Sequence, residues 1–249
     1  MIDIHYPLFQ LMEQFSVREI VPYMIDDFKP SAWLISNRNL ASNRQILDTT
    51  SINIFSKSTS LLRLIEHISG DEIFQSAVRS IVSVKDLSTV LNTFYSNFDT
   101  ILNDTISVKE FLESWITKRN YPQVTVELLA RNETFRNTTI IFRQNHYSGL
   151  FDSNQSSTWI IYMECDVGGF DNNGDWNVTA NYIESRFKFI FNSSTHTIEL
   201  PDEDYLWIKC NKNFYSYLIT KYVSEEPDKT AVYRLLLYIF HEVCQNIAV

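Results

Sequence analysis

Between Ser107 and Val126 the hydrophobic period of this chain switches from that of a helix to that of a strand. Ser107 is placed to cap a first helical turn, and Glu110, three residues on, can reach back to it in a capping box. Val108, Phe111, Leu112 and Trp115 then recur at i, i+3, i+4, i+7, which gives the helix one apolar face. Asn120 accepts the left-handed conformation that ends many helices, and Pro122 cannot continue one. From Gln123 the pattern alternates, with Val124, Val126 and Leu128 separated by Thr125 and Glu127, as in a half-buried strand. A helical half ends here and a β half begins.

Upstream, the spacing predicts short helices joined by polar turns. Leu8, Met12 and Phe15 form one apolar face, and a second helical piece covers 17–24. Asp26 and Asp27 read as a solvated helix end, and 29–50 as a connection. From Thr59 a helix carries Leu61, Ile65 and Ile68 inward, with Arg63, Glu66 and His67 turned away. Two more follow, one striped by Ile73, Phe74, Ala77, Val78, Ile81 and Val82, the other by Leu87, Val90, Leu91 and Phe94. Downstream, strands are expected at 124–130, 138–143, 158–164, 184–191, 196–200, 205–210 and 214–220. Short strands separated by turn clusters point to an antiparallel sandwich, so the class is α+β. A last apolar helix is expected from Ala231 to Phe240.

Charge and cysteine usage narrow the function classes. A net charge of −9 argues against nucleic acid or an anionic membrane as partner. No stretch of 18 uninterrupted apolar residues offers a membrane span, and the start lacks the basic-then-apolar pattern of a signal peptide. Cys165, Cys210 and Cys244 lack metal-ligand spacing and permit at most one internal disulfide, whose pairing the sequence leaves open. Asn103, Asn132, Asn137, Asn154, Asn177 and Asn192 each begin an Asn-x-Ser/Thr glycosylation pattern, which favours an extracellular or luminal setting, such as a plasma-membrane ectodomain, over the cytoplasm.

Two stretches carry a family resemblance. Phe111, Trp115, Tyr121, Pro122, Val124 and Val126 match a Phe-x-x-x-Trp helix that ends in Gly-Tyr-Pro and enters a Val-x-Val strand, with Asn120 in place of the glycine. Lys57, Ser60, Leu62, Arg63, Leu64 and Ile65 fit the segment Ile-x-Tyr-x-Lys-Gly-Ala-Ser followed by two apolar residues and Arg-Met-Leu, with Ser58 in place of the glycine. Both resemble zinc aminopeptidases of the aminopeptidase N and puromycin-sensitive type. Trp159 and Trp207, with Asn211, resemble strands of the small β domain in those enzymes. The resemblance implies three parts: 1–119 from the helical end of a thermolysin-like catalytic domain, 120–222 a β-sandwich, and 223–249 the start of a C-terminal helical domain.

It also implies hydrolysis of N-terminal residues of peptides by one zinc ion, and here this chain departs. Phe55 stands at the family's catalytic tyrosine and has no hydroxyl to donate to an oxyanion; read without the family, it is ordinary core. The zinc motif and the Gly-Ala-Met-Glu-Asn segment are missing. His241-Glu242-Val243-Cys244-Gln245 approaches His-Glu-x-x-His, but Gln245 stands where a second imidazole is needed. His5, His67, His146 and His196 are isolated and read as structural, and Asp202, Glu203 and Asp204 as a solvated turn. The expectation is a partial or degenerate family member that binds no zinc and cleaves nothing alone. Two alternatives stand beside it: a non-catalytic module binding peptides or a partner protein, and a fragment of an active zinc aminopeptidase.

Overall fold

A computed structural model describes residues 14–27, 29, 32, 34–36, 52–82, 84–98, 106–129, 138–147, 158–170, 182–200 and 207–224. The expected helices at 7–15 and 231–240 lie outside these residues. So do Asn103, Asn132, Asn137, Asn154 and Asn177, the acidic cluster at 202–204, and 241–245.

The described residues divide between two compact units through which the chain passes repeatedly. The first comprises 1–122, 146–161 and 213–218, and the second 123–145, 162–212 and 219–249.

In the first unit a π-helical turn, Ser16–Ile20, leads into α1, Val21–Asp27. Helices α2 (Ile52–Ser69), α3 (Asp71–Val82), α4 (Leu87–Ser96) and α5 (Val108–Ile116) follow. Helix α5 begins as its sequence predicts: the Ser107 hydroxyl accepts from the Glu110 amide and the Glu110 carboxylate accepts from the Ser107 amide. Val108, Phe111, Leu112 and Trp115 are all buried. Each such side chain contributes about 1.5–3 kcal/mol on burial. The helix ends through Asn120, at φ 60°.

Helices α3 and α4 depart from their expected stripes. Ala77 and Phe94 are buried, whereas Ile73, Val82 and Leu91 are exposed. Phe94 instead joins Phe98, at 4.8 Å between rings, and Phe98 is fully buried. Only part of each apolar stripe meets the core.

In the second unit the strands form two sheets. The four-stranded sheet has the order β5-β2-β1-β7, from β1 (Pro122–Leu128), β2 (Thr138–His146), β5 (Thr195–Leu200) and β7 (Ile219–Ser224). The three-stranded sheet has the order β4-β3-β6, from β3 (Ile161–Phe170), β4 (Tyr182–Phe191) and β6 (Trp207–Cys210). Pairs β2–β5 and β3–β6 are antiparallel. Pair β1–β7 is parallel, which the expectation of a wholly antiparallel arrangement did not include. The α+β class is therefore found, with one mixed sheet.

Pleating explains the burial along β1 and β2: Val124, Val126, Ile140 and Phe142 point inward, with less buried residues between them. Rings fill the space beside Phe142, whose centroid lies 4.8 Å from Phe189 and 6.5 Å from Phe191. His196 stacks on both. The last strand begins later than expected, at Ile219. Asn211, Asn213 and Phe214 have positive φ, so a short 3-10 turn, Lys212–Phe214, occupies the start of the expected strand.

Cys165 and Cys210 face one another across β3 and β6 and form a disulfide. It closes a sequence separation of 45 residues, for which loop-closure entropy gives about 4 kcal/mol of stabilisation. Replacing both cysteines by serine should lower the unfolding free energy by roughly 2–4 kcal/mol, measured by urea denaturation. An unchanged midpoint would mean that the bond does not constrain the unfolded chain.

Candidate functional site

Helix α2 carries an unusual load of buried polar side chains. Lys57 is 2% exposed, Arg63 7%, and Ser56 and Ser60 are buried with them. An ammonium group survives burial when each of its three donors finds an acceptor and a counter-charge lies close. Lys57 meets both conditions. It donates to Asp27 Oδ2 at 3.1 Å, to the Lys118 carbonyl at 3.1 Å and to the Asn120 carbonyl at 2.7 Å.

Those two carbonyls follow the C-terminal end of α5, where the helix dipole is negative and attracts a cation. The left-handed turn at Asn120 brings its carbonyl within reach of the same ammonium. Tyr121 and Pro122 come next and are buried. Lys57 therefore clamps the helix-to-strand junction, and Asp27 supplies the balancing charge. Burial pushes the Asp27 carboxyl up and the Lys57 ammonium down, and each partner's charge opposes the other's shift. The sequence reading of Asp27 as a solvated helix end is corrected: it is 2% exposed and paired, while Asp26 next to it pairs with Lys29 nearer the surface.

Aromatic rings enclose the clamp. Tyr121 lies 5.2 Å from Tyr147 and 5.8 Å, edge-on, from Tyr217. Lys57 Nζ sits 5.7 Å from the centre of the Tyr217 ring. Burial raises both the Tyr121 and Tyr217 hydroxyls, Asp27 adding to each, so both stay protonated across the physiological range. Sequence reasoning missed Asp27, Tyr147 and Tyr217, because nothing local marks them as neighbours of Lys57.

Arg63 makes a second clamp. Its guanidinium lies 4.4 Å from the Tyr215 ring and 4.9 Å from the Phe15 ring, and Nη1 donates to the Asn213 carbonyl at 3.0 Å. His67 stacks on Tyr215 at 3.7 Å. The expectation that Arg63 turns away from the core is therefore corrected. A flat, weakly hydrated guanidinium stacks on ring faces, which offsets part of the cost of its burial.

Trp115 makes a third attachment. Its indole N–H donates to the Ile160 carbonyl at 2.8 Å, while Ser114 Oγ accepts from the Ile160 amide at 3.1 Å. Lys118 donates to the Thr158 carbonyl and lies over the Trp159 ring. Lys57, Ser60, Arg63, Phe111, Trp115, Tyr121 and Pro122 thus all belong to one buried unit. Trp207 opens β6 in the other.

Phe55 behaves oppositely. It is 61% exposed, and Leu62, seven residues along the same helix, is 43% exposed. The reading of Phe55 as ordinary core is corrected: its ring faces outward from α2 and carries no polar group.

Each described histidine lies against aromatic rings: His67 against Tyr215, His146 against Trp159, and His196 against Phe189 and Phe191. Among the described residues no three His, Cys, Asp or Glu side chains gather as a metal would require. No protein-family model matches this chain.

Two outcomes follow from this geometry. K57M leaves Asp27 buried without a counter-charge and should cost about 3–5 kcal/mol of stability, with D27N/K57M recovering part of it in urea titrations; equal stability of K57M and the natural chain would refute the clamp. Burial also holds His146 and His196 below the ordinary 6.5. A depressed histidine contributes stability that is complete above 6.5 and lost as pH falls through the folded-state value. Unfolding titrations between neutral pH and about pH 5 should show that loss, reduced in H146Q/H196Q. An identical pH slope in the variant would show that other groups cause it.

Proposed function

We propose that this chain is a partial, catalytically silent relative of the zinc aminopeptidases that serves as a scaffold for peptide or protein binding. One observation carries the reading. Lys57, from the Lys-x-x-Ser-x-x-Arg stretch, bonds the backbone beside Tyr121 and Pro122, so the two stretches that carry the resemblance meet at one buried junction. Ser60, Arg63, Phe111 and Trp115 are buried in the same unit. The Phe142, Phe189 and Phe191 contacts between the two sheets fit the β-sandwich this reading assigns to the second half.

The silent character rests on two features of this chain: no His-Glu-x-x-His in its sequence, and phenylalanine at position 55. In the enzymes it resembles, zinc activates the water that attacks the peptide carbonyl, and a tyrosine hydroxyl stabilises the oxyanion. Losing one such donor costs about 3–4 kcal/mol of transition-state stabilisation. Phe55 cannot supply it. The exposed Phe55 and Leu62 on one side of α2 favour a binding role over a purely structural one. The other reading, a fragment of an active zinc aminopeptidase, places zinc ligands on residues this chain does not contain.

Zinc content and turnover of an aminoacyl-arylamide, measured on one sample, test the proposal. The expected result is no stoichiometric zinc and no turnover, in the natural chain and in F55Y alike. Stoichiometric zinc with turnover would overturn the silent reading. An experimental structure whose strands beyond residue 121 do not form two facing sheets would overturn the family reading itself.

A further inference from the structure

The turn between β4 and β5 holds the one glycosylation pattern that falls within the described residues. Phe191 closes β4 and is buried, Thr195 opens β5, and Asn192, Ser193 and Ser194 between them are exposed. The turn is fastened through its backbone. The Gln144 amide donates to the Ser194 carbonyl at 2.9 Å, and Gln144 Nε2 donates to the Ser193 carbonyl at 2.8 Å. Ser193 Oγ donates to the Thr195 carbonyl at 2.7 Å. None of these bonds uses the Asn192 carboxamide, so a bulky group on it would leave the turn intact.

A second, independent observation points to the same compartment. Cys165 and Cys210 are directly opposed in the β3–β6 register, buried, and joined as a disulfide. Such a bond persists in oxidising compartments and is rare where glutathione keeps thiols reduced. Asparagine glycosylation of Asn-x-Ser/Thr is likewise a property of secreted and luminal proteins.

We propose that Asn192 carries an N-linked glycan, and that this chain matures in an oxidising, glycosylating compartment where Cys165 and Cys210 are joined. In the first step Asn192 Nδ2 bonds to the anomeric carbon of a lipid-linked, diphosphate-activated oligosaccharide; the nitrogen loses one proton and the lipid diphosphate departs. In the second, the two thiols lose two protons and two electrons to the disulfide of a thiol oxidoreductase, which is reduced to its dithiol.

The test begins with protein isolated from the cells that make it, alkylated during lysis and digested with peptide-N-glycosidase in heavy-oxygen water. The expected result is heavy-labelled aspartate at position 192 and no alkylated Cys165 or Cys210. Unlabelled Asn192 overturns the glycan assignment, and alkylated Cys165 and Cys210 overturn the compartment. Expression of the full chain through a eukaryotic secretory pathway adds variants that spare Asn192. S194A should abolish the label at 192 and S194T should preserve or raise it; label persisting in S194A would refute enzymatic transfer at this pattern.

Discussion

Three hydrogen bonds from one ammonium group tie α2 to the end of α1 and to the turn that follows α5. Lys57 can be buried only because Asp27 and the carbonyls of Lys118 and Asn120 converge on it. Each of those acceptors depends on a separate local device: the last turn of α1, the C-terminal end of α5, and the left-handed conformation of Asn120. Loss of any one leaves a charge or a carbonyl buried without its partner. Tyr121 and Tyr217 add apolar surface around the group without competing for its protons.

What the sequence made legible was local. The capping box, the apolar face of α5 and the left-handed Asn120 all appear as read, because each follows from residues within a few positions of one another. Long-range partners were not legible. Asp27 and Lys57 lie thirty residues apart in sequence, and an acidic residue at a helix end usually faces water. Arg63 was placed outside because helical spacing puts it opposite Leu61 and Ile65, yet Phe15 and Tyr215 make room for its flat face. The parallel partner of β1 was equally hidden, since alternation gives the face of a strand but not its neighbour. The exposure of Phe55 was not legible either, since a phenylalanine usually lies in the core.

In the β unit, ring packing and a covalent bond share the work of cohesion. Phe142, Phe189, Phe191 and His196 fill the space beside β2, β4 and β5. Asp166, next to Cys165, accepts from Arg186 at 2.6 Å and from Lys212 at 3.5 Å, and these two cations hold its carboxyl below its usual range against the opposing effect of burial. Tyr222 of β7 accepts from the Cys210 amide at 2.8 Å. The disulfide thus lies among polar contacts that link β3 to β4 and β6 to β7.

The parallel pairing of β1 with β7 has a consequence for synthesis. Gln123 lies opposite Ile219 and Leu128 opposite Ser224. A ribosome releases α5 and β1 long before β7 has been made, so one edge of β1 stays open while residues 129–218 are synthesised. Unpaired edges recruit other strands, and pairings this distant form slowly. The Arg63 bond to the Asn213 carbonyl waits for the same late segment. Vectorial synthesis therefore leaves both units incomplete until residues beyond 213 emerge, and the nascent chain is most vulnerable to aggregation just before its final described strand appears.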